Sequence, residues 1–145
     1  GKRGIGLKKK EGDLITPIGQ YKIKYILYRK DRIKKIQSKL RKIIIEKNMG
    51  WCDDPKSRNY NKLITLPLNL SYEKLFRREN IYDIVFVLDY NMRPVKKNKG
   101  SAIFIHVAKK NYSKTQGCIA VKKTDLLNIA KKIKINTRVK IENRK

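Results

Sequence analysis

The sequence predicts a mainly β domain with minor helix, in the α+β class. Two runs, Ile84–Tyr90 and Ser101–Val107, are almost wholly apolar and short, as buried strands are. Two others, Gln20–Tyr28 and Ile133–Ile141, largely alternate apolar with polar residues, the period of a half-buried strand. Helical signals are confined to short stretches. The 145 residues fit one domain, 1–145, long enough to bury a real core.

Taken in order, the glycines of Gly4-Ile5-Gly6-Leu7 and of Lys10-Glu11-Gly12-Asp13 suggest turns, and no Gly-Lys-Ser/Thr ending makes them a phosphate loop. Thr16-Pro17-Ile18-Gly19 turns the chain into the first long strand. Residues 31–49 read two ways. Ile33, Ile36, Leu40, Ile43 and Ile44 are spaced for a helix, while Ile43-Ile44-Ile45 suits a short strand. Gly50–Pro55 reads as a loop. Ser71 is expected to cap a short helix over Tyr72–Phe76, and Thr124 a last helix through Ala130. Asn91-Met92-Arg93-Pro94 is a turn between the two apolar strands.

Net charge is +26. That points to a polyanionic partner, such as nucleic acid, an anionic membrane or a cell-envelope polymer. The abundance of Lys, Ile and Asn fits codon bias equally well. The charge is spread along the chain, where a dedicated nucleic-acid binder concentrates it, so no nucleic-acid partner is expected. With 40% hydrophobic residues, disorder is not the default. No apolar run approaches the ~20 residues of a membrane span. The chain opens on Gly1 without a Met, which reads as a processed or cut-down product. Cys52 and Cys118 are too few for a disulfide framework, though one bridge between them could form. With one histidine, a zinc site has no recognisable ligand spacing.

The chemistry gathers at His106 and at Thr115-Gln116-Gly117-Cys118-Ile119. Twelve positions separate His106 from Cys118, enough to leave one strand, cross a loop and return beside it. A thiol must become a thiolate to attack, and a close imidazole achieves that. Gly117 lets backbone approach a substrate, and the Cys118 amide can face an oxyanion.

With these residues the chain resembles the L,D-transpeptidase catalytic domain, the YkuD-like family, whose signature is a His followed by Ser/Thr-x-Gly-Cys and an apolar residue. Lys10–Tyr21, Gly50–Pro55, Tyr60-Asn61, Tyr82-Asp83 and Gly100–His106 extend the resemblance over nearly the whole chain. It implies a compact, mixed, sandwich-like β domain. It implies acyl transfer through a Cys118 thioester on peptidoglycan stem peptides, with His106 as proton donor and acceptor and Gly117 at the oxyanion. No cofactor or metal is implied, and the setting is the bacterial periplasm or cell envelope. Thr115, Gln116, Arg77 and Tyr60 are the expected substrate contacts, and the expected state is a monomer.

The resemblance departs at Gln116, where the commonest version has His, and at Ala120, where it has a substrate-holding Arg. Arg77 or Arg78 could supply that charge, or form a solvated helix face. The domain begins where the family's first strand is under way, so the reading allows for an absent N-terminal strand. Cys52 is read as packing, Asp53 and Asp54 as turn caps or cleft residues, and Tyr60 and Asn61 as groove or turn. A water acceptor would make the domain an L,D-carboxypeptidase. A basic module for nucleic acid or another anionic polymer, with a vestigial site, is the alternative from another class.

Overall fold

The computed structural model describes residues 1–144. In chain order the elements are β1 (Ile5–Gly6), β2 (Thr16–Pro17), β3 (Gly19–Tyr28), β4 (Lys42–Ile44), β5 (Met49–Cys52), β6 (Leu63–Thr65), β7 (Tyr72–Lys74), β8 (Ile84–Leu88), β9 (Phe104–Val107), β10 (Ile119–Val121), α1 (Lys123–Lys132) and β11 (Arg138–Ile141). The main sheet runs β10-β9-β8-β3-β11, with β4 also paired to β3. A second sheet, β6-β5-β7, lies apart from it, and β1 pairs with β2. The fold is therefore mainly β with one helix, as the sequence predicts.

The apolar runs are apolar because both faces of the main sheet are covered. Alternation along β8 sends Ile84, Phe86 and Leu88 to one core, with Leu126 and Ala130 of α1. It sends Val85 and Val87 to the other, with Trp51 of β5 and Leu75. Strand β9 divides the same way: Ile105 and Val107 join the helix-side core, and Phe104 joins the opposite one. His106 shares the face of Phe104, so the sheet's geometry turns it away from the helix.

Four local expectations are corrected. Ile33, Ile36 and Leu40 are buried at helical spacing, yet residues 31–41 form turns and bends. After one turn closed by Ile33 N–H on the Arg29 carbonyl, the Ser38 hydroxyl takes the Leu40 amide and competes with further helix. Lys42–Ile44 is drawn out by parallel pairing with Ile26–Tyr28. Gly50–Cys52, read as loop, is the middle strand of the second sheet. Tyr72–Lys74, read as helix, pairs with that strand, and Ser71 donates its hydroxyl to Asp53 instead of capping. Thr124 lies inside α1, which starts at Lys123 without a side-chain cap.

Candidate active site

Strands β9 and β10 run parallel, with Ile119 beside Ile105 and Ala120 beside His106. Paired residues in a sheet point to one side, and side chains alternate. Continued one residue back, that register puts Cys118 beside Phe104, on the face that also carries His106. Cys118 packs against the Phe104 core accordingly. The two residues are thus diagonal neighbours on one surface.

The loop that delivers Cys118 is closed on itself. The Thr115 hydroxyl donates to the Cys118 carbonyl at 2.6 Å and accepts from the Gly117 amide at 3.3 Å. The Lys2 amide donates to the Thr115 carbonyl at 2.7 Å and ties the loop to the N-terminal segment. Gly117 has φ +144°, and a Cβ there would stand 3.1 Å from the Ile15 carbonyl oxygen. Only glycine fits that approach without displacing backbone.

The Cys118 thiol donates to the Ala102 carbonyl at 3.1 Å. That carbonyl is fixed from behind. Asn61, itself at φ 59°, accepts the Ala102 amide and the Trp51 indole N–H on one side-chain oxygen, each at 3.0 Å. Its side-chain nitrogen donates to the Tyr90 and Asn91 carbonyls. Burial pushes the thiol up to about 12, and the Glu73 carboxylate adds to the rise; the Phe104 backbone works weakly against both.

His106 is 8% exposed and its Nδ1 lies 3.0 Å from the Val107 carbonyl. A carbonyl has no proton to give, so Nδ1 carries the hydrogen and Nε2 keeps its lone pair. Burial holds the imidazole below its ordinary value, against the stabilising pull of Val107, and Arg77 and Lys109 lower it further. The ring is neutral at neutral pH. Tyr82 packs edge-on against it at 5.6 Å.

Both residues open onto a cleft of about 280 Å³. Thr115, Gln116, Gly117 and Arg77 line it too. Arg77 is not on a helix. It lies 5.1 Å over the Tyr82 ring and bonds Glu73 at 3.3 Å, which brings a guanidinium to the cleft. Arg78 does not line the cleft; its carbonyl accepts from Arg32. Tyr60, read as a substrate contact, is 1% exposed and outside the lining. Its hydroxyl donates to Glu11 and accepts from the Gly100 amide, and it is Glu11 that reaches the cleft. Both cysteines are free, and Cys52 is buried.

The family model of the L,D-transpeptidase catalytic domain, YkuD, matches residues 1–141. The chain belongs to the YkuD family of L,D-transpeptidase catalytic domains. Among curated proteins and among solved structures nothing matches it significantly. No described helix of this YkuD domain is long and apolar enough to cross a membrane. Sequence reasoning missed Glu73 and gave no site role to Tyr82 or the Ala102 carbonyl, though both lie in segments that carry the resemblance. Glu73 sits in a segment whose local pattern suggested a helix, and only the pairing of β7 with β5 brings it to the cleft.

Proposed function

We propose that this domain is an L,D-transpeptidase that works through a thioester on Cys118. The reading rests on one observation: Cys118 and a His106 whose Nε2 lone pair is free share a sheet face and a cleft. His106 Nε2 takes the thiol proton as the sulfur turns from the Ala102 carbonyl. Cys118 Sγ attacks the amide after the third residue of a peptidoglycan stem peptide. The proton passes from His106 to the leaving nitrogen, and the terminal D-residue departs. The acyl group then goes to an amine of a second stem, forming a cell-wall cross-link.

The Cys118 amide, freed to approach by Gly117, stabilises the oxyanion. Arg77 holds a substrate carboxylate in place of the family's usual arginine, whose position is Ala120. Thr115 and Gln116 border the donor groove, and Tyr60 acts through Glu11. No cofactor takes part. The domain works as a monomer in the bacterial periplasm or cell envelope, where its +26 charge favours anionic wall polymers. With water as acceptor the same site is an L,D-carboxypeptidase.

The test is intact mass after incubation with stem tetrapeptide or a carbapenem, beside Cys118→Ala. An adduct on the parent chain alone is expected. Its absence under reducing conditions overturns the reading.

A further inference from the structure

Arg77 enters the cleft without the support of regular structure. The family's usual arginine position, Ala120, lies on β10, where pairing with His106 fixes the backbone. Residues 75–83 form only bends and turns. Among the described residues, no backbone amide donates to the carbonyls of Arg77, Arg78 or Glu79. Two guanidinium groups take that place. Arg29 donates from Nη1 to the Arg77 carbonyl at 2.6 Å. Arg32 donates to the Arg78 carbonyl at 2.7 Å and to the Glu79 carbonyl at 2.8 Å. Three successive carbonyls of an irregular segment are thus held by two side chains 46 to 48 residues away in the chain.

Both arginines are themselves held. Arg29 follows β3, is 4% exposed and stacks on the Phe76 ring at 3.5 Å. Its Nε and Nη2 form a fork on the Asp31 carboxylate at 2.8 and 2.7 Å, which leaves Nη1 for Arg77. Arg32 pairs with Asp83 at 2.7 Å. Asp83 is 1% exposed, and its other oxygen accepts from Lys123 at 3.1 Å. Lys123 opens α1, two residues after the end of β10. The stretch that delivers Cys118 and the stretch that delivers Arg77 therefore meet on one buried carboxylate. At its own end, Arg77 donates from Nε to the Lys74 carbonyl at 2.8 Å and from Nη2 to Glu73. A planar fork of fixed donors can hold a carboxylate and carbonyls together; the single ammonium of a lysine cannot.

We infer that Arg29 and Arg32 are positioning residues for Arg77, and that through it they set a preference for a donor peptide ending in a free carboxylate. This rests on the proposed carboxylate contact of Arg77 and the proposed thioester at Cys118. Neither Arg29 nor Arg32 lines the cleft, so neither touches substrate. They fix the backbone from which the Arg77 guanidinium projects over the Tyr82 ring, 5.1 Å away. A guanidinium placed in advance loses little freedom when the carboxylate arrives, so more of the contact appears as binding. A loosely held one keeps its charge and selects weakly.

The test is a preference ratio: kcat/KM for acylation by stem tetrapeptide against that for the same peptide with its C-terminal carboxylate amidated. A general folding defect slows both donors alike and leaves the ratio unmoved. Arg32→Lys keeps an ion pair with Asp83 and loses the fork on the two carbonyls. We expect its ratio to fall about tenfold, mostly through a higher KM for the acid peptide. Arg29→Lys, which loses the contact to the Arg77 carbonyl, should lower it in the same direction. Arg77→Ala should abolish the preference, and adding Arg32→Lys to it should change the ratio no further. A fall in Arg32→Lys that persists in the Arg77→Ala background overturns the positioning role, as does a parent ratio retained in both lysine variants. A parent chain that acylates on Cys118 with no preference between the donors overturns the Arg77 contact, and the positioning role with it. No adduct on the parent chain overturns the proposed function itself.

Discussion

The Cys118 thiol spends its hydrogen on the Ala102 carbonyl, 3.1 Å away, and not on His106. At rest Cys118 is a capped thiol. With its ionisation pushed up to about 12, far fewer molecules hold a thiolate at pH 7 than the few per cent of a free cysteine. Alkylation by iodoacetamide at pH 7 should then run at least about a hundredfold slower than on a free thiol, and speed up steadily with pH. A neutral-pH rate equal to that of glutathione would show that the cap does not hold.

His106 carries the opposite shift. Its imidazole lies below the ordinary value because it is buried, so it stays a competent base into mild acid. The acid limb of the acylation profile should fall below about pH 6.5. His106→Gln should lower acylation by about 10²–10⁴-fold. A depressed value also means stability that is present above the ordinary imidazole range and lost as pH falls towards the folded value. Melting curves of His106→Gln should accordingly be less acid-sensitive between about pH 6.5 and the onset of carboxylate titration.

Asp13 responds at lower pH. Burial alone would raise its carboxyl, but the Lys8 ammonium and the amides of Lys9, Ile15 and Lys10 outweigh this and hold it at about 2. The pair with Lys8 is close, 2.6 Å, with both side chains over nine-tenths buried. The carboxylate contributes about 2 kcal/mol above pH 4, and this drains away as pH falls from about 4 to about 2. Asp13→Asn should cost more than that at pH 7, about 3 kcal/mol, because Lys8 is left buried without its counter-charge. Urea unfolding of Asp13→Asn, Lys8→Met and the double variant checks this. The double should be more stable than the sum of the singles predicts.

Asn61 is a structural keystone rather than a groove residue. Asn61→Ala strands the Trp51 indole N–H and the Ala102 amide, at about 1–3 kcal/mol for each buried donor. Denaturant melts should show a loss of about 2–5 kcal/mol. Asn61→Asp keeps the shared acceptor oxygen and should lose less.

Gly117→Ala separates folding from chemistry. Its Cβ would meet the Ile15 carbonyl at 3.1 Å in a left-handed conformation, so the loop must shift. The variant should fold with a loss of about 1–3 kcal/mol and acylate far more slowly. Unchanged acylation, read by intact mass, would mean that the loop's geometry does not govern attack.

The central strands were legible because two-sided burial leaves Ile84–Leu88 no room for polar residues. That Cys118, His106 and Gly117 lie together was legible because they sit in one sequence-local unit, two strands and their connection. What misled was short-range periodicity. Ile33, Ile36 and Leu40 earn burial at helical intervals by dipping separately into the core from an irregular segment. Ser71 before Tyr72 looks like a cap until β5 supplies strand partners from twenty residues away. Glu73 was illegible for the same reason: only the pairing of β7 with β5 brings it to the cleft.

That pairing has a consequence for when the enzyme exists at all. Glu11, Asp53, Glu73, His106 and Cys118 span most of the chain and come from separate layers. No short contiguous fragment carries them together, and closure of both sheets must precede the site. A chain still being threaded through a pore, or nicked between the layers, holds a cysteine and a histidine but no catalyst. Appearance of acylation during refolding should therefore coincide with the last, global phase and never lead it.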